Sequence, residues 1–390
     1  MIDQSQEKPR RRKKISWQLL YILATLIVLL ILGGSDAQLA ALFSGGLPIQ
    51  RLWLVLCALA MIGFWLFQTF SYQYIARIVE AKTSLWTSLR ITLLGEYYSA
   101  ITPFASGGQP MQVGYYRRYG VTAAKAAMII AVRYVGYISA ICICYIVSVA
   151  VSGARILAEF PLVFWLTAAG FLVNFASIVM VAGLLWRPSL VERAGMWVIR
   201  LWTCFKPFAS KREKWEHSFR GGMQEFSLAA QCIRANPLRC LVAMAIMLIS
   251  VFCMFSVAYL VYRALGLTQN HYFELFAMQL FLYLATSFAP TPGATGATEG
   301  GFYLFFAMVF PQGLLYSAML VWRLFTYYSH LLIGGVLVVL DELLTMRRKK
   351  AAGALYTEET EAMDSTAPVQ AQEDATAAPD RADAQQDADV

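Results

Sequence analysis

The chain has 390 residues, of which 58% are hydrophobic and 14% charged, with a mean hydropathy of +0.55. An ordinary soluble domain is about 45–50% apolar and roughly a quarter charged, so this much apolar surface excludes a water-soluble protein and calls for a lipid surround. The formal net charge of +8 is unevenly divided: from Thr357 onward there are ten acidic residues and one Arg, which leaves 31 basic and 14 acidic side chains, net +17, in residues 1–356.

In chain order, residues 1–14 are a basic segment (KPRRRKK at 8–14), and 17–32 form a marginal membrane span extended by flanking glycines. A helix needs about 20 apolar residues to cross a hydrocarbon layer ~30 Å thick, and the stretches 52–75, 126–151, 162–186, 238–262 and 314–340 are long enough. A basic start followed by an apolar run also fits a cleaved signal peptide. No small-x-small site stands beside it, however, and cleavage would leave an odd number of crossings, so an uncleaved span is expected. The expected organisation is a basic cytoplasmic N-terminus at 1–14, a transmembrane domain at 15–345 containing an amphipathic cytoplasmic loop at 187–237, and a cytoplasmic tail at 346–390 that turns from basic to acidic. The tail's Ala, Asp, Gln, Thr and Pro predict a disordered, solvated extension.

Lys and Arg in short loops stay on the cytoplasmic side of a membrane. The clusters at 8–14 and 347–350 therefore put both termini inside, as Arg77, Lys82 and Arg90 do for the loop after 52–75 and the ten basic residues of 187–239 do for the longest loop. The connections at 35–51, 152–161 and 263–270 are poor in positive charge and belong outside. Two apolar stretches then enter and leave by the same face: 85–125, with both ends internal, and 272–313, with both ends external. The fold class that follows is an all-α polytopic integral membrane protein with six full spans and two oppositely oriented re-entrant broken hairpins, about eight membrane segments in an inverted repeat.

The hairpins carry the same device twice. Thr102 to Pro110 reads TPFASGGQP and precedes Arg133, Tyr137 and Ser139; Thr291 to Gly301 reads TPGATGATEGG and precedes Arg323, Tyr327 and Ser329, with 31 and 32 residues from Thr to Arg. Paired helix breaks in matching halves point to a transporter's binding site. Irregular backbone survives at membrane depth only where protein or a wet cavity satisfies it. Pro103 and Pro292 stop a helix, and Gly107, Gly108, Gly293 and Gly296 permit positive φ and close approach. Exposed amides in such turns, at the start of a following half-helix, suit an anion. Thr102, Ser106, Gln109 and Gly300 line the same segments.

An intramembrane Arg costs several kcal/mol unless it faces a partner or cavity, and its planar fork matches phosphate oxygens. Tyr137 and Tyr327 follow one helical turn on, on the same face, whereas Ser139 and Ser329 fall elsewhere. Glu96 and Glu299 supply one intramembrane acid per hairpin, as charge partners of the arginines or as proton carriers. A structural salt bridge is the competing reading for each Arg alone; the matched pair favours a site for a phosphate-bearing head group. No catalytic residue, metal ligand or cofactor is expected: the seven cysteines form no CxxC, and His217, His271 and His330 stand outside any hydrolytic or metal motif.

The segments GEYYSAITPFASGGQPMQVGYYRRYGVTAAKA and APTPGATGATEGGFYLFF resemble the lysylphosphatidylglycerol synthase transmembrane family, the flippase domain of MprF-like proteins and their stand-alone relatives. The resemblance runs over roughly residues 15–345 and is most specific at Thr102, Pro103, Ser106, Gly107, Gly108, Gln109 and Pro110, and at Pro290, Pro292, Gly293, Gly296, Glu299, Gly300 and Gly301. It implies a multi-pass protein of the bacterial inner membrane that moves lipids between leaflets. Full-length MprF-like proteins append a soluble aminoacyl-transfer domain where this chain has its acidic tail, so a non-enzymatic translocase is expected rather than lysyl transfer. The alternatives are a polyprenyl-phosphate carrier or accessory protein of a membrane glycosyltransferase and, behind it, an intramembrane lipid-modifying enzyme. Expected partners are a membrane phospholipid or lipid phosphate, and the anionic inner leaflet through loop 187–237, whose basic residues alternate with Trp197, Trp202, Phe205, Trp215 and Phe219. No nucleic-acid motif is present, and a homodimer and a cytoplasmic enzyme partner both stay open.

Overall fold

The computed structural model describes residues 50–159, 161–204 and 212–341. The expected span at 17–32, the basic clusters at 8–14 and 347–350, Phe205 and the acidic tail lie outside the described residues. Compactness divides the chain into Met1–Gly335 and Val336–Val390; within the second unit, residues 336–341 are helical.

Among the described residues the protein is all-helical and has no strand. The elements are α1 (Arg51–Ile78), α2 (Leu85–Ala100), α3 (Gly108–Arg118), α4 (Ala123–Glu159), α5 (Pro161–Trp186), α6 (Pro188–Thr203), α7 (Arg212–Ala235), α8 (Pro237–Phe255), α9 (Val257–Ala264), α10 (Tyr272–Thr286), α11 (Ala297–Phe306) and α12 (Gln312–Arg323), which runs through a π turn (Leu324–Tyr328) into further helix. Among the described residues, five helical segments are long and apolar enough to cross a bilayer: Arg51–Ile78, Ala123–Val151, Pro161–Trp186, Pro237–Ala264 and Gln312–Asp341. They coincide with the five long stretches expected from the sequence.

These helices start and bend where their residues require it. Ser84 caps α2 by accepting the Thr87 N–H at 3.1 Å, and Pro161, Pro188 and Pro237 occupy first positions where no N–H is needed. The α8–α9 span bends at Ser256, and a bend at membrane depth frees backbone groups that lipid cannot satisfy. Gln279 of α10 meets them, its Oε1 accepting from Ala258 N–H at 2.8 Å and its Nε2 donating to the Met254 carbonyl at 2.9 Å.

Small residues set the close approaches, as is usual between membrane helices. A Cβ on Gly170 of α5 would stand 2.1 Å from the Leu284 carbonyl oxygen of α10, and one on Gly63 of α1 would stand 3.1 Å from Cys253 Sγ of α8. The buried core beside α10 and α11 is aromatic, with Phe302 and Phe306 stacked at 4.3 Å and Trp322 at 5.2 Å from Phe302. Outward, α1 exposes Leu52, Val55, Leu59, Ile62, Leu66 and Phe70 at helical spacing, an apolar stripe suited to lipid contact.

The stretches 85–125 and 272–313 are each two helices around a break, α2 with α3 and α10 with α11, the first break containing the short turn Pro103–Ala105 and the second Pro292–Ala294. At 1.5 Å per residue, the arms of 16, 11, 15 and 10 residues span about 24, 17, 23 and 15 Å. None reaches across ~30 Å of hydrocarbon. In the first hairpin α3 folds back on α2 so closely that a Cβ on Gly108 would lie 2.7 Å from the Gly95 carbonyl oxygen. The two breaks touch one another. The loop after α5 contains α6 and α7, which pair with Gly195 against the ring of Phe219 and leave Trp197, Val198 and Arg200 exposed.

Candidate functional site: two helix breaks and their arginines

Both breaks follow one local plan. After Thr-Pro the chain takes positive φ at two consecutive residues, Phe104 and Ala105 (54° and 52°) in the first break and Gly293 and Ala294 (60° and 53°) in the second. This corrects one expectation: Gly107 and Gly108 hold ordinary negative or helical angles, and the reversal falls on the residues directly after the proline. Gly107 and Gly108 serve close approach instead, since a Cβ at Gly107 would stand 2.5 Å from Thr102 Cγ2. Gly293 and Gly296 (φ 87°) do adopt positive φ, as expected.

The Thr and Ser side chains pair with the irregular backbone. Thr102 Oγ1 donates to the Tyr98 carbonyl at 2.7 Å and accepts the Gly107 N–H at 2.9 Å, and Ser106 Oγ donates to Pro103 at 2.8 Å. In the second break Thr291 donates to the Thr295 carbonyl at 2.8 Å, Thr295 to Pro292 at 2.8 Å and Thr298 to Ala294 at 3.1 Å. Pro103, Ser106, Gln109, Gly296 and Gly300 are exposed, and a Cβ on Gly296 or Gly300 would meet nothing within 4 Å. One edge of each break is thus open.

Each arginine pairs with the glutamate of its own hairpin. Arg323, with a side chain 5% exposed, places Nη2 2.6 Å and Nε 2.8 Å from Glu299 Oε1. Glu299 Oε2 accepts the Gly296 N–H at 2.6 Å, so this one carboxylate joins the arginine to the start of α11. Both Arg323 Nη atoms also lie 3.4 Å from the Gly293 carbonyl. The Tyr327 ring is 4.9 Å from the guanidinium and covers Gly293, where a Cβ would stand 2.1 Å from it. Tyr327 OH donates to the Ala100 carbonyl at 3.3 Å and so ties the second break to the end of α2.

Arg133 is held more loosely. Its Nη2 is 3.8 Å from Glu96 Oε1, with side-chain exposures of 14% and 26%. Its Nε donates to Gln68 Oε1 at 2.9 Å, and Nη2 bonds the same oxygen. The rings of Tyr72 and Tyr137 each lie 5.0 Å from its guanidinium carbon. Among the described residues the two arginines share no hydrogen-bonding or ion-pair partner; Arg323 and Tyr327 sit against the second break, Arg133 is held by α1, α2 and α4 and not by the first break itself, and the breaks meet. Sequence reasoning missed Gln68 and Tyr72 on α1. The signal was present, because an amide inside the apolar stretch 52–75 has no reason to be there unless a polar partner faces it.

Long apolar helices, lipid-suited outer faces, and buried arginines paired with glutamates inside the helical core define a polytopic helical membrane protein. The chain belongs to the lysylphosphatidylglycerol synthase TM region family, whose model matches residues 17–334. It is also similar to a UPF0104 membrane protein of Archaeoglobus fulgidus, 23% identical over 291 residues, which is 73% of this chain and 85% of that one.

Proposed function

We propose that this protein is a lipid translocase, a flippase-like carrier that moves a phosphate-bearing lipid between the leaflets of the bacterial inner membrane. The head group lies near the midplane where the two breaks meet, with Arg133 on its phosphate and the open edges of Pro103–Ser106 and Gly296–Gly300 beside it. Acyl chains stay in lipid. α2–α3 and α10–α11 are re-entrant hairpins from opposite faces, and the segments α1–α4 and α8–α12 form an inverted repeat whose rocking exposes the head group alternately. Arg323, whose Nε and Nη2 both engage Glu299, holds the second break in shape. The amphipathic pair α6–α7 lies along the anionic inner leaflet.

The observation that carries this reading is the repetition: two Thr-Pro breaks with the same backbone reversal, each followed by an arginine paired to its own hairpin's glutamate, with the breaks in contact. A single buried ion pair is commonly structural; a second one in the matching place of the other half, with the two breaks in contact, favours a ligand site. The family to which the chain belongs is described as a transmembrane region of a lipid synthase, which supports a lipid as the ligand. The reading is non-catalytic. It is tested by reconstituting the full chain in phosphatidylglycerol-containing liposomes and following dithionite quenching of a fluorescent phospholipid. Wild type is expected to exchange lipid faster than protein-free liposomes and Arg133→Ala at least tenfold slower than wild type; equal rates in all three reject the translocase.

A further inference from the structure

The helix that begins with α12 changes register directly after Arg323. Leu324–Tyr328 is a π turn, a rare form that is frequently found at functional sites. Ser329 shows how the turn is sustained. Its N–H goes to the Leu324 carbonyl, whereas an α-helix would give it to Phe325, one residue nearer. Ser329 Oγ donates to the Phe325 carbonyl instead, so the acceptor that the amide passes over is satisfied by the hydroxyl of the same residue. At membrane depth this matters, because lipid offers a passed-over carbonyl no partner. The turn also carries Tyr327 to both breaks. Its ring lies over Gly293 of the second, and its hydroxyl donates at 3.3 Å to the Ala100 carbonyl at the end of α2, which leads into the first. In the other half, Arg133, Tyr137 and Ser139 have the same spacing within unbroken α-helix, so one pattern of residues occurs in both registers.

A residue whose amide and hydroxyl can each serve one carbonyl lets the hydrogen-bond ladder slip without loss. In the α register the Ser329 N–H returns to Phe325 and the Tyr328 N–H takes Leu324, so neither carbonyl is orphaned in either form. Tyr327 tells the two forms apart, because a side chain inside the turn changes direction when the ladder is rewound. We propose that Leu324–Tyr328 is a two-register switch with Tyr327 and Ser329 as its positioning residues. In the π register Tyr327 latches the second break to the end of α2; in the α register its ring leaves Gly293, its hydroxyl leaves Ala100, and the breaks part. Arg323 precedes the turn and keeps its pairing with Glu299 in both. That the parting serves alternate exposure of a head group rests on the translocase reading; the latch itself does not.

The test is cross-linking of the full chain in liposomes. Ala105→Cys and Ala294→Cys place one thiol in each of the two touching breaks; a short bis-maleimide joins them, and the cross-linked peptide is followed by mass spectrometry against chains carrying only one of the two substitutions. Tyr327→Phe keeps the ring over Gly293 and removes the hydroxyl, so it is expected to slow cross-linking roughly two- to tenfold, the effect of one hydrogen bond. Ser329→Ala takes away the donor that sustains the π turn and is expected to slow it about tenfold. Ser329→Thr, whose hydroxyl reaches the same carbonyl, is expected to restore the wild-type rate. A serine that only adds stability would lower the melting temperature in Ser329→Ala and leave the cross-linking rate as in wild type, and that result overturns the switch whether or not lipid exchange is seen. If Tyr327→Phe and Ser329→Ala both slow cross-linking and wild type shows no leaflet exchange, the switch stands and translocation falls.

Discussion

Glu299 binds Arg323 with one oxygen and the Gly296 N–H with the other, so neutralising it to an amide removes the arginine's counter-charge and leaves one acceptor oxygen where two donors now bond. Breaking a buried pair by deleting one member costs about 3–5 kcal/mol, and Glu299→Gln is expected near the low end because that carboxylate is a quarter exposed. Thermal denaturation in detergent checks this; an unchanged midpoint would show that the pair does not hold the break. Phe104 makes the opposite case. A non-glycine residue at φ 54° costs roughly 1–2 kcal/mol, and its side chain is exposed, so Phe104→Gly should raise stability by about 0.5–1 kcal/mol once glycine's extra chain entropy is deducted. At the matching place in the second break the chain already has Gly293, and there a Cβ would both strain the backbone and strike the Tyr327 ring. Gly293→Ala is therefore expected to destabilise by about 1–3 kcal/mol.

At the scale of elements, the sequence was readable where one solvent decides everything. The five long apolar stretches became five span-length helices because lipid leaves the backbone no alternative, and the two breaks were visible because proline and glycine interrupt otherwise apolar runs. The pairing of Arg133 with Glu96 and of Arg323 with Glu299 was anticipated as one of two roles for those acids. What stayed hidden depended on three-dimensional facing. Positive φ was expected at Gly107 and occurs at Phe104 and Ala105, because the reversal is set by the position after proline and not by which residue tolerates it best. Gln68 and Tyr72 went unnoticed because they lie in a helix with no break of its own. Gln279 likewise gave no signal, since its role depends on a bend in a different helix. Where α5 meets α10, Gly170 lies against the Leu284 carbonyl. Gly170→Leu should force the two apart and lower the melting temperature, and a melting temperature equal to wild type would contradict that packing.

For the whole molecule, everything functional depends on how the chain threads the membrane. Each helical arm of 10 to 16 residues is too short to cross alone; on the translocase reading proposed above, each hairpin returns to the face it left, and the two do so from opposite sides so that their breaks meet at the midplane as halves of an alternating carrier. Single cysteines placed at Lys82 and Arg117, flanking the first hairpin, and at Thr268 and Gln312, flanking the second, are all at exposed positions. Labelled with a membrane-impermeant maleimide in spheroplasts and in inverted vesicles, Lys82→Cys and Arg117→Cys should react only from the cytoplasmic side, and Thr268→Cys and Gln312→Cys only from the outside. Reaction of Lys82→Cys and Arg117→Cys from different sides, or of all four from one side, would contradict the account.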